Sequence, residues 1–98
     1  MKLFLDDVRQ PPDESWAVAR TYAECIRVLK TGAVESLSLD HDLGESRTGY
    51  DVACWIEAAV ILEGFNPPKI TVHSANPVGR RNIEACIGAI ERSLLKRS

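Results

Sequence analysis

Asp6-Asp7 follows Leu3-Phe4-Leu5, and Asp40-His41-Asp42 follows Ser36-Leu37-Ser38-Leu39. Each acidic group closes an apolar run that reads as a buried strand. Carboxylates delivered by strand ends collect where parallel sheets place their ligand sites. Crowded carboxylates repel one another, so they must be protonated or neutralised by a cation. The cation that suits oxygen ligands is Mg²⁺ or Mn²⁺, and phosphate is its natural co-ligand. Asp6, Asp7, Asp40 and Asp42 are therefore the metal candidates, with Asp40 central to any mechanism.

A further apolar run, Lys69 to Val72, ends in His73-Ser74-Ala75-Asn76. His41 and His73 are the candidates for donating a proton to a leaving oxygen. The ordinary alternatives are a solvent-facing loop histidine at 41 and a satisfied core histidine at 73. His73 is preferred, because it shares a strand end with Ser74 and Asn76 while His41 can turn to solvent. Zinc is a lesser alternative to Mg²⁺ or Mn²⁺, since both histidines could join the carboxylates. Ser74 and Asn76 are placed to hold phosphate oxygens. Asn76-Pro77 carries two helix-start signals, so a positive helix end points at the same place. Arg80 lies on that helix's first turn, where it could clamp a phosphate. Arg9 either pairs with the first carboxylates or reaches the substrate. No serine or cysteine stands in an activated nucleophile pattern.

The elements that must position these groups are readable. Lys2 to Leu5 is a strand, and Val8 to Ser15, with Pro11-Pro12, is too short and broken for a helix. Trp16 to Ala19 is a second strand. Thr21 with Glu24 predicts a capping box for a helix to about Lys30, stopped by Gly32. A third strand runs from about Val34 to Leu39, and His41 to Thr48 is a polar loop. Gly49 to Glu63 is helical and apolar on more than one side, which implies either burial by neighbours or a homodimer face. Lys69 to Val72 is the fourth strand. Ile83, Ile87, Ile90 and Leu94 then mark an amphipathic last helix. Right-handed crossovers make the sheet parallel. The proline-rich segment returns along one short strand, since eight residues extend about 25 Å. The predicted strand order is 2-1-3-4, with the switch point between Asp6-Asp7 and Asp40.

With 98 residues, 45% hydrophobic and 27% charged, the chain fits one domain, residues 1–98. A net charge of −2 gives no general nucleic-acid surface, so a phosphate-bearing small molecule or nucleotide end needs a local patch. No apolar run reaches membrane length. Cys25, Cys54 and Cys86 read as small buried hydrophobes. Their odd number and the lack of a signal peptide predict a reducing cytoplasm.

The pattern resembles a response-regulator receiver domain, with Asp6-Asp7 after strand one, Asp40 after strand three and Ser74 after strand four. That resemblance implies a flavodoxin-like α/β three-layer sandwich. Asp42 matches the position whose backbone carbonyl completes the receiver metal site. The first crossover helix is lacking, as are the fifth strand and its lysine, for which Arg80 could substitute. The closer resemblance is to cyclic-phosphate processing receiver domains. It rests on Leu3-Phe4-Leu5-Asp6-Asp7-Val8-Arg9, Ser38-Leu39-Asp40-His41-Asp42-Leu43-Gly44, Thr48-Gly49-Tyr50-Asp51 and His73-Ser74-Ala75-Asn76-Pro77-Val78-Gly79-Arg80. It implies a metal-dependent phosphoesterase. The alternatives are a signalling receiver phosphorylated on Asp40 and a non-catalytic module that senses a nucleotide.

Overall fold

The computed structural model describes residues 1–97. The elements are β1 (Lys2–Leu5), β2 (Trp16–Ala19), α1 (Tyr22–Leu29), β3 (Ser36–Leu39), α2 (Gly49–Glu63), β4 (Lys69–Val72) and α3 (Pro77–Arg97). The strands form one parallel sheet in the order β2-β1-β3-β4, as the crossover argument predicts. β3 starts later than the expected Val34. Glu35 still bridges its neighbours, donating its N–H to the Met1 carbonyl and accepting from the Lys69 N–H.

Each helix begins on a side-chain cap, worth about 1 kcal/mol. Thr21 Oγ1 accepts from the Glu24 N–H at 3.1 Å, but Glu24 reaches back to the Arg20 N–H, one residue before the cap. The complete capping box belongs to α2. Asp51 N–H donates to Thr48 Oγ1, and the Asp51 carboxylate accepts from the Thr48 N–H at 2.7 Å. Asp51 stands where Glu or Gln is usual, which hid this cap in the sequence. Asn76 Oδ1 accepts from the N–H groups of Val78 and Gly79 at the start of α3.

Register sorts the strand residues into two faces. Leu3, Leu5, Ala17, Ala19, Leu37, Leu39, Ile70 and Val72 share one side. They pack against Ile26 and Leu29 of α1, Val52, Ile56 and Val60 of α2, and Ile83 and Ile90 of α3. All three helices therefore stand on one face. The β2–β3 and β3–β4 crossovers advance in the same direction across the sheet, and a shared right hand puts their helices together. This corrects the expectation of a three-layer sandwich. A third layer needs the first crossover helix or a helix beyond a fifth strand, and neither is present among the described residues. Phe4, Val18, Ser38 and Thr71 occupy the other face.

Cys25 and Cys86 are buried and Cys54 is half-buried, all as free thiols. Burial pushes the Cys25 and Cys86 thiols up to about 12, in keeping with inert packing. One side of α2 remains open, with Ile61 and Leu62 exposed. No helix among the described residues is long and apolar enough to cross a membrane.

Candidate metal and phosphate site

The carboxyl ends of β1, β3 and β4 lie side by side, so their next residues converge. Asp6, just past β1, is 0% exposed. Its Oδ1 accepts from the N–H groups of Val8 (2.9 Å) and Arg9 (2.8 Å). Its Oδ2 lies 3.0 Å from His73 Nε2 and 3.9 Å from Arg9 Nε. Burial works to raise this carboxyl, but the backbone N–H groups of Arg9 and Val8, helped by His73, hold it below the ordinary value. Arg20 fixes the turn, donating to the carbonyls of Asp6 (3.0 Å) and Arg9 (2.6 Å). Sequence reasoning missed Arg20. The available signal was its place directly after β2, the strand beside β1.

His73, just past β4, is held on three sides. Its Nε2 faces Asp6, its Nδ1 is 2.7 Å from Ser38 Oγ, and its ring stacks on Phe4 at 4.2 Å with the planes 7° apart. Arg9 Nη1 donates to the His73 carbonyl at 3.1 Å. Asp40, just past β3, is 8% exposed. Its Oδ1 accepts from the His41 N–H at 2.8 Å, and its Oδ2 has no hydrogen-bond partner among the described residues. Ligand atoms of Asp6, Asp40 and His73 all lie within 4.8 Å of one another.

Asp7 and Asp42 stand outside that group. Asp7 Oδ2 lies against Gly44, 3.1 Å from where a Cβ would sit. The Asp42 side chain is 67% exposed and joins a second cluster. Its Oδ1 is 3.0 Å from His41 Nδ1, and its Oδ2 accepts from Asn76 Nδ2 at 3.2 Å. Those two bonds, His41 first, hold the Asp42 carboxyl below its ordinary value. The His41 side chain is only 18% exposed, with its ring packed on Gly79 in the first turn of α3. A Cβ at position 79 would overlap the ring, and one at Gly49 would overlap the Asp40 carbonyl. The expectation that His41 turns to solvent is therefore corrected. The helix start needs a residue without a side chain at 79, and the imidazole fills that space.

Ser74 is buried, and its Oγ accepts from the Asn76 N–H at 3.1 Å. Ser74 and Asn76 thus shape the entry to α3 as much as they offer polar atoms to a ligand. Arg80 stands on the first turn of α3 with a half-exposed side chain. Its guanidinium pairs with Glu84 at 3.7 Å and lines a groove of about 420 Å³ with Thr71, Val72 and Ile87. Arg9 is the cation beside Asp6, its Nε 3.9 Å from Oδ2.

The structure therefore joins two clusters through the Asp40–His41 peptide. One is a largely buried group of two carboxylates and an imidazole. The other is a carboxylate-braced imidazole under a helix start, whose Nε2 has no partner among the described residues. The first can hold a cation, and the second can move a proton. A family model described as the cyclic-phosphate processing receiver domain matches residues 1–89, a span that includes every residue of both clusters. No curated protein and no solved structure matches the chain.

Proposed function

The chain belongs to the cyclic-phosphate processing receiver domain family, and from that premise we propose that it is a metal-dependent phosphoesterase acting on a cyclic phosphate or phosphodiester, with a nucleotide end as the substrate class. The observation that carries this reading is the pairing of a metal-competent group, Asp6, Asp40 and His73, with a separate braced imidazole, His41. Two carboxylates and an imidazole within one ion's reach fit a divalent cation such as Mg²⁺ or Mn²⁺. Such an ion supplies polarisation of a phosphoryl oxygen and a more acidic bound water.

The chain's own residues do the rest. Asp6 and Asp40 hold the ion, and Asp7 and Asp42 add negative field around it. Arg9, half-exposed above Asp6, binds a phosphate oxygen. The start of α3 adds its positive end. His41 donates a proton to the leaving oxygen, with Asp42 fixing its ring. His73, preferred from sequence for that role, has both nitrogens engaged by Asp6 and Ser38, so the donor role passes to His41. Phosphorylation of Asp40 and simple nucleotide sensing have no observation of their own in their favour.

The test is hydrolysis of 2′,3′- and 3′,5′-cyclic nucleotides with Mg²⁺ or Mn²⁺. His41→Ala, checked for folding, should lose on the order of 10²–10⁴ in rate. Wild-type turnover in that variant would remove the proton donor and sink the proposal. A durable, acid-labile phosphoryl adduct at Asp40 after acetyl phosphate treatment would favour the receiver instead.

A further inference from the structure

We propose that His73 is a metal ligand through Nε2, that Ser38 is the residue positioning it, and that the resulting nitrogen-containing site selects a first-row transition ion over Mg²⁺. This rests on reading the Asp6–Asp40–His73 group as a metal site, and it deepens that reading by assigning the class of ion.

Three observations converge. The imidazole cannot turn away. Phe4 stacks on its face and Ser38 Oγ holds Nδ1 at 2.7 Å, which leaves Nε2 as the nitrogen presented to the carboxylates. Asp40 is more than nine-tenths buried and still has an oxygen that no described donor satisfies. That oxygen is not sealed from solvent, so it is open to a ligand entering the group. Ser38, finally, is itself buried on the face that no helix covers among the described residues, and its hydroxyl bonds this ring.

The chemistry of Ser38 suits the exchange between the two states. Without an ion, Nε2–H donates to Asp6 and Nδ1 accepts from the serine hydroxyl. With Nε2 on a metal, the ring proton must sit on Nδ1 and donate to the same hydroxyl oxygen. A hydroxyl serves both arrangements, since it donates and accepts. This is the outer-shell support that ligating histidines require. Imidazole nitrogen favours Mn²⁺, Fe²⁺, Co²⁺ or Zn²⁺, whereas Mg²⁺ keeps to oxygen and retains its waters.

The experiment is titration calorimetry of the purified protein with Mn²⁺, Co²⁺ and Mg²⁺ chlorides, with the visible spectrum of the Co²⁺ form as a second readout. Wild type should bind Mn²⁺ and Co²⁺ at least about tenfold more tightly than Mg²⁺. His73→Gln should abolish that preference by weakening Mn²⁺ and Co²⁺ more than Mg²⁺. Ser38→Ala should weaken Mn²⁺ by about 10–100-fold and shift the Co²⁺ spectrum, and Ser38→Thr should restore both. Equal Mg²⁺ and Mn²⁺ affinity in wild type, which needs no variant, would overturn the proposal. So would unchanged Mn²⁺ affinity in folded His73→Gln. The two readings fail separately. Metal preference without hydrolysis removes the phosphoesterase and leaves this site. Hydrolysis with no transition-ion preference does the reverse.

Discussion

Along β1 and β3, Leu3, Leu5, Leu37 and Leu39 point into the layer of helices, while their neighbours Phe4 and Ser38 point the other way and lead to Asp6 and Asp40. Both sets are buried. The aliphatic set is kept dry by three amphipathic helices. The polar set has no helix over it among the described residues. It is closed by pairing, with His73 on Phe4 and Ser38, and Arg9 and backbone N–H groups on Asp6. The difference teaches where each kind of burial acts. Apolar area removed from water is non-directional and sets stability. Polar burial persists only when each group meets a partner, so it fixes geometry.

Substitutions on the two faces should separate accordingly. Leu37→Ala, on the helix side, should cost about 2–5 kcal/mol in urea denaturation, with metal affinity of the folded protein unchanged. A loss below about 1 kcal/mol would put the two faces on an equal footing. Asp40→Asn, on the other face, should leave the metal-free protein as stable or more stable, because it relieves repulsion with Asp6. It should forfeit the added stability from metal, about 2.7 kcal/mol at a hundredfold excess over Kd. Thermal melts with and without Mn²⁺ read this, and an undiminished response would remove Asp40 from the site.

Asp6 sharpens the contrast through pH. Its carboxyl is held below the ordinary 3.8 in the folded state, so the ionised form stabilises the fold. That contribution is complete above 3.8 and is lost as pH falls through the lower folded value. Acid unfolding of Asp6→Asn should lack this limb, and superimposable pH profiles would deny the carboxylate any net role in stability. The smallest effect belongs to Thr71→Ala, at an exposed position on the face without helices. It should stay within about 0.5 kcal/mol in urea denaturation, and a larger loss would show that this face is packed after all.

Much of this was legible in the chain. Parallel crossovers gave the strand order, and Asn76-Pro77 marked the start of α3. The acidic pairs marked the sheet's functional edge. What stayed hidden depends on direction rather than position. Four carboxylates near one edge do not say which of them meet, and only Asp6 and Asp40 share the group with His73. The Ser-Leu-Ser-Leu run of β3 carried a period-two signal that Ser38 faces the side of Phe4. Its bond to His73 needed the register of β4, which lies far along the chain. The packing of His41 on Gly79 is likewise a long-range fit. Local pattern reads a loop histidine as solvated. The layer count follows from both crossovers advancing the same way, whereas the receiver resemblance implies helices that are absent among the described residues.

The parallel sheet also sets how the domain can be tethered. Met1 lies at the edge where the strands begin, its amine donating to the Ala33 carbonyl at 2.7 Å. α3 runs back to that same edge, where the Arg97 guanidinium reaches the carbonyls of Val60 and Phe65. The acidic cluster sits at the opposite edge. Residues 1 and 97 therefore both lie away from the site, and a rigid attachment at either would leave the mouth facing outward.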